Sequence, residues 1–154
     1  MDMMEYLKTT KALMNKVVEV ETNASNKFNL GTGRDVFEQE FQALALYVAG
    51  TDNNISSEEI DLFNYMFDMN MDSRDFGALI KELSGMYNDI INNLRLPGWL
   101  VCKTLKKKTS SDITNTYIEV VKMVMELFAA VDNVIDPKEE AFINNFITRL
   151  RNDR

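Results

Sequence analysis

The segment VAGTDNNISSEEIDLFNYMF, Val48 to Phe67, is written a second time eighty residues later as FAAVDNVIDPKEEAFINNFI, Phe128 to Ile147. Each copy has an apolar helix end, then Asp-Asn, an Ile, a Glu four residues on, and a second apolar helical stripe. Six positions are identical (Ala49/Ala129, Asp52/Asp132, Asn53/Asn133, Ile55/Ile135, Glu59/Glu139, Asn64/Asn144), where chance would give about one or two at ordinary residue frequencies. The register continues outward. Phe37, Phe41, Leu44 and Val48 fall on Tyr117, Val121, Val124 and Phe128, and Leu62, Phe63, Met66 and Phe67 fall on Phe142, Ile143, Phe146 and Ile147. A duplicated helix–loop–helix hairpin is the economical reading. Two such hairpins, each with one apolar stripe, bury those stripes against each other and so form the centre of a helical domain.

The rest of the chain agrees with an all-α fold of about seven helices. Only two Pro and six Gly interrupt 154 residues, and neither a period-2 run nor an Asn-Gly or Asp-Gly hairpin turn is present. An added N-terminal helix covers residues 3 to 20 or 22, with Met3, Leu7, Met14 and Val18 in line. ASNKFNLGTG, residues 24 to 33, reads as loop; its GTG lacks the third glycine of a dinucleotide fingerprint. Further helices are expected over 34–49, 57–69, 74–92 (behind an Asp72-Ser73 cap), a short one from Pro97, 112–130 and 137–151. Gly77 and Gly85 are expected as points of close packing. One domain spans 1–154, long enough to bury a core.

Composition removes several kinds of chemistry. With no His, the usual general base near neutral pH, the commonest Zn and Cu ligand and every Ser-His or Cys-His pair are absent. The single Cys102 makes neither an internal disulfide nor a thiolate cluster and reads as a small buried apolar residue. The start MDMMEYLKTT carries an acid where a signal peptide carries positive charge, and no apolar run approaches ~20 residues; the expectation is a soluble cytoplasmic protein. A net charge of −7 argues against nucleic acid as partner. The charge is bipolar: residues 90–111 hold five basic residues and no acid, leaving −12 for the remainder.

The repeated loop has a structural and a chemical reading. Structurally, Ser56 with Glu59 forms a capping box, Asp136 with Glu139 an equivalent pair behind Pro137, and Asp52 and Asp132 suit Asx turns. Chemically, Asp52, Glu59, Asp132 and Glu139 are four carboxylates on two related loops, hard oxygen ligands suited to Ca²⁺ or Mg²⁺ if they converge. An EF-hand is excluded. Asp52, Asn54 and Ser56 occupy positions 1, 3 and 5 of such a loop, but position 6 is Ser57 rather than Gly, and position 12 is Phe63 or Ile143 rather than Glu. Spacing alone favours capping.

The pattern Asp-x-x-Ile-x-x-x-Glu, preceded by an apolar helix ending in Ala and followed by a second apolar helix, resembles the signature of TerB-like (tellurite-resistance) domains. LPGWL and the long helix leading into the second copy add to the likeness, which covers residues 35 to 151. The usual family form has Gly after the Asp, where this chain has Asn53 and Asn133; Asn is the next-best residue for a left-handed turn. The resemblance implies an all-helical, internally pseudo-symmetric fold and a bacterial setting in stress-response or membrane-linked assemblies. It also implies metal binding by the acidic residues, here Asp52, Glu59, Asp132 and Glu139. A relative of the fold heads a membrane-attached DnaJ-like co-chaperone, but without His this chain has no His-Pro-Asp motif.

LPGWLVCKTLKKK, Leu96 to Lys108, joins an apolar head to a lysine tail. Trp99, Lys103, Lys106, Lys107 and Lys108 are candidates for contact with a protein partner or for peripheral contact with a membrane. In the alternative, the lysines complement the helix dipole and Trp99 fills the core. The ten Met residues suit either an adaptable groove or core filling. Three functions follow: a non-enzymatic TerB-like interaction module with a divalent-cation site; a peripheral membrane or complex adaptor using the Trp99–Lys108 face; and a carboxylate-metal hydrolase. The first accounts for most of the chain, and no residue pattern establishes catalysis.

Overall fold

The computed structural model describes residues 3–28, 34–49, 56–108, 113–131 and 136–153, with side chains not described for 20–28 and 34–36. These residues form an all-α domain: α1 (Met3–Phe28), α2 (Arg34–Ala49), α3 (Ser57–Phe67), α4 (Ser73–Leu83), α5 (Pro97–Lys108), α6 (Thr114–Ala130) and α7 (Pro137–Asp153). A 3₁₀ turn (Ser84–Met86) and a π-helical turn (Asn88–Asn92) follow α4. No strand occurs among the described residues. None of their helices is long and apolar enough to cross a membrane.

α6 is the central helix. α1, α2, α5 and α7 all pack on it, because its sequence is apolar on nearly every side, from Tyr117 through Val120, Val121, Val124, Met125 and Phe128. A helix apolar all round has no face for water and is driven to the middle of the bundle. The aromatic stripe of α2 meets it: the Tyr117 ring lies 6.1 Å from Phe37 and 5.5 Å from Phe41. Phe63 of α3 joins the same core, edge-on to Phe76 of α4 at 5.3 Å and to Phe128 of α6 at 6.3 Å. α1 closes one side with Leu7, Met14, Val17 and Val18 buried. It is pinned by Tyr6, whose hydroxyl donates to Glu126 at 2.7 Å, and by Lys11, which pairs with Asp68. Burial, and then the Glu126 carboxylate, push the Tyr6 phenol well above its ordinary value.

Helix starts follow the local chemistry. Ser56 Oγ accepts from Glu59 N–H at 3.1 Å and Asp72 Oδ1 from Asp75 N–H at 2.8 Å, each filling an orphan donor of a first turn. Asp136 Oδ1 instead accepts from Lys138 N–H, also at 2.8 Å. The identical pair Asn64 and Asn144 also differs in use. Asn64 clamps the α3–α4 turn through two 3.0 Å bonds with the Met71 backbone, whereas Asn144 is exposed along α7.

The structure departs from the sequence expectations at several places. α1 continues to Phe28, so residues 24–28 are helix rather than loop: no Pro or Gly intervenes before Gly31 to stop it. α3 ends at Phe67, where Asp68 takes the left-handed conformation (φ 54°). The expected single helix over 74–92 changes type twice, and its π turn is held by the Arg149 guanidinium, which donates to the carbonyls of Ile91 and Asn92. α7 reaches Asp153, beyond Arg151. Gly77 and Gly85 are not close-packing points: a Cβ at either would meet nothing within 4 Å.

Candidate functional site

α5 is fastened to the core by one buried carboxylate. Leu96-Pro97 sets the first turn, with Pro at a position whose missing N–H costs nothing, and Gly98 follows. Gly98 N–H donates to Glu40 Oε2 of α2 at 2.7 Å, and the Tyr117 hydroxyl donates to Glu40 Oε1 at 3.3 Å. Glu40 is 1% exposed. An ionised carboxylate there needs compensation, which the helix N-terminus, with its free N–H groups and positive dipole end, supplies. Only glycine fits at 98. A Cβ would fall far inside van der Waals contact distance of Glu40 Oε2 and 3.1 Å from the Phe37 ring. Burial, then the Glu40 charge, hold the Tyr117 phenol well above its usual range.

The inner face of α5 is apolar. Trp99, Val101, Cys102 and Leu105 are buried, and the Trp99 ring lies 5.2 Å from Tyr117. Trp99 is therefore a core residue whose indole edge reaches outward. Its Nε1–H donates to Asp153 Oδ2 at 2.8 Å, and Lys103 Nζ donates to the same oxygen at 2.7 Å, lying 5.8 Å from the indole centroid. Lys103, and after it the indole N–H, hold the Asp153 carboxyl below the ordinary carboxylate range.

The outer face of α5 is different. Leu100 is 60% exposed, the most exposed large apolar side chain among the described residues. A groove of about 490 Å³ lies on one side, lined by Leu100, Lys103, Thr104, Lys106, Lys107 and Asp153. A second, of about 360 Å³, is lined by Leu94, Arg95, Leu96, Pro97, Trp99, Leu100 and Lys103. Leu100 and Lys103 line both. Lys106, Lys107 and Lys108 are exposed on the last turn, where cations complement the helix C-terminus. The arrangement offers one mostly apolar recess edged by Arg95 and Lys103, beside a groove lined mainly by polar residues, three lysines, Thr104 and Asp153.

Of the four repeated carboxylates, Asp52 and Asp132 lie outside the described residues. Glu59 stands in the first turn of α3 at 2% exposure and Glu139 in the first turn of α7, half-buried. Among the described residues no group of three or more His, Cys, Asp or Glu side chains is placed to hold a metal. Of the five α5 candidates, Lys103, Lys106 and Lys107 line the first groove. Trp99 lines the second from its buried position, without standing at the surface as an interfacial anchor.

Sequence reasoning missed Glu40, Gly98, Leu100 and Asp153. Glu40 had a visible signal: it falls between Phe37 and Phe41, an acid inside an apolar stripe. Asp153 sits in the last turn of α7, where an acid is disfavoured by the dipole and so asks for a cation. Comparison with protein families, curated proteins and solved structures finds no match.

Proposed function

We propose that this chain is a non-enzymatic helical interaction module of TerB-like kind, with the outer face of α5 as its docking surface for another protein. The observation that carries the reading is Leu100, 60% exposed between two grooves in the most basic stretch of an acidic chain. A lone exposed leucine is ordinary on a protein surface; what supports an interface is Leu100 standing at the edge of a mostly apolar groove ringed by basic side chains. A lipid surface is the weaker occupant, because Trp99 is packed inward and a recessed face makes poor contact with a flat bilayer. The resemblance supplies the setting, a bacterial stress-response assembly. A photo-crosslinking residue at position 100, compared with one at the exposed Ser84, tests the reading in the native host. A discrete protein adduct at 100 alone is expected; equal or absent adducts would overturn it.

A divalent-cation site on the repeated loop is the second reading, favoured by the burial of the Glu59 side chain immediately after that loop. Calorimetric titration with Ca²⁺, Mg²⁺, Mn²⁺ and Zn²⁺, beside Asp52→Asn/Asp132→Asn, tests it. Micromolar binding lost in a folded variant is expected. Silence in the wild type leaves the repeat with capping alone.

A further inference from the structure

We propose that the α5 face takes an acidic amphipathic helix from its partner protein, with an apolar side chain entering the second groove beside Leu100 and carboxylates meeting Lys103, Lys106 and Lys107 along the first. The proposal rests on the reading of α5 as a docking face and specifies what docks there.

Charge complementarity is the first argument. The face collects Arg95, Lys103, Lys106 and Lys107. Asp89, 3.8 Å from Arg95, and Asp153, on Lys103, are the acids set against them, so the four cations still outnumber the carboxylates. Such a face attracts anions, repels basic partners and sets a salt-dependent association rate.

The protein itself shows how the face binds a carboxylate. Asp153, arriving from α7, is held on a single oxygen by two donors from α5, the Lys103 ammonium and the Trp99 indole N–H. Its side chain remains 38% exposed at the rim of the first groove. A partner carboxylate therefore finds Lys103 already oriented, and Asp153 marks the edge of the site.

Shape decides among anions. The second groove is lined mainly by apolar side chains, Leu94, Leu96, Pro97, Trp99 and Leu100, so the ligand must bring apolar groups as well as charge. A nucleic-acid backbone brings charge without apolar side chains, and the indole face that would stack a base is buried. An amphipathic helix carries both kinds of group at a spacing of three and four residues, matching an apolar recess and a lysine-lined groove that meet at Leu100 and Lys103.

The test is unbiased selection. Random peptides of about 16 residues, ~24 Å of helix, are displayed and selected on the full chain. They are counter-selected on Leu100→Ser/Lys107→Glu, changed at two exposed positions and checked for intact folding by circular dichroism. Enriched peptides with net negative charge and apolar residues at helical spacing are expected. Synthesised, they should bind with affinity reduced about tenfold in Lys106→Glu/Lys107→Glu. They should also weaken with salt and shift the emission of Trp99, the chain's single tryptophan, which lines the second groove. Enrichment of neutral or basic peptides, no enrichment, or tighter binding to anionic phospholipid vesicles would overturn the proposal. If the position-100 crosslink still forms in those cases, docking at α5 stands and only the acidic partner falls. If it too is absent, both fall.

Discussion

Two carboxylates hold α5, and they do opposite work. Glu40 reaches it from α2 at the first turn, 1% exposed, accepting from a backbone N–H and a buried phenol. Asp153 reaches it from α7 about one turn further along, at the protein's rim, accepting from an ammonium and an indole N–H. The chemical group is the same and the surroundings are not. Buried, it can be removed only by leaving its donors unsatisfied, so it belongs to the fold. At the rim, water replaces it at little cost, and a ligand's carboxylate can replace it as well.

That contrast can be broken most violently at Glu40. Glu40→Ala should cost about 3 kcal/mol, measured by urea denaturation, since it leaves the Gly98 N–H and Tyr117 hydroxyl without their acceptor and opens a cavity. Next in size, Gly98→Ala should destabilise by about 1–3 kcal/mol through overpacking, visible as a lower Tm. Leu100→Ser should change stability by only about 0.5 kcal/mol or less, while abolishing the position-specific association described above; a large loss of Tm would move Leu100 to the folding side of the comparison. Asp153→Asn should leave stability nearly unchanged and alter Trp99 emission.

The pH response sharpens the same contrast. Because the folded Asp153 carboxyl lies below its ordinary range, its contribution is present above the unfolded carboxylate pKa and lost as pH falls through the lowered folded value. Trp99 emission in the native state should therefore change at a midpoint below the usual carboxylate range, and that step should vanish in Asp153→Asn. A midpoint at or above the ordinary value would mean that Lys103 and the indole do not hold the charge.

What was legible in the sequence was whatever is local or periodic. The stripe Phe37, Phe41, Leu44 and Val48 reads directly as a buried helix face, and each of these residues is in the core. Ser56 and Asp72 read as caps because a cap needs only the next three residues. Gly98 could not be read. Glycine records that something comes close without saying what, and here it is Glu40, fifty-eight residues away. Gly77 and Gly85 look the same in the sequence and face open space. Glu40 carried its signal, an acid inside the Phe37–Phe41 stripe, but not its partner: the helix N-terminus that makes its burial tolerable arrives from fifty-eight residues away. Leu100 was invisible because one leucine among many at helical spacing does not announce which side it takes. The repeat was legible as a pattern, yet identical residues diverge in use, as Asn64 and Asn144 do.

The close approach of Gly98 to Glu40 also has a consequence for how this protein can change over generations. Position 98 cannot gain a methyl group unless position 40 withdraws, and position 40 cannot shorten to Asp without opening a gap that a methyl at 98 would partly fill. Each step alone is costly, and together they compensate. Descent along this route must cross an unstable intermediate or change both codons within a short interval. Among divergent descendants the two positions should therefore be found altered together or not at all.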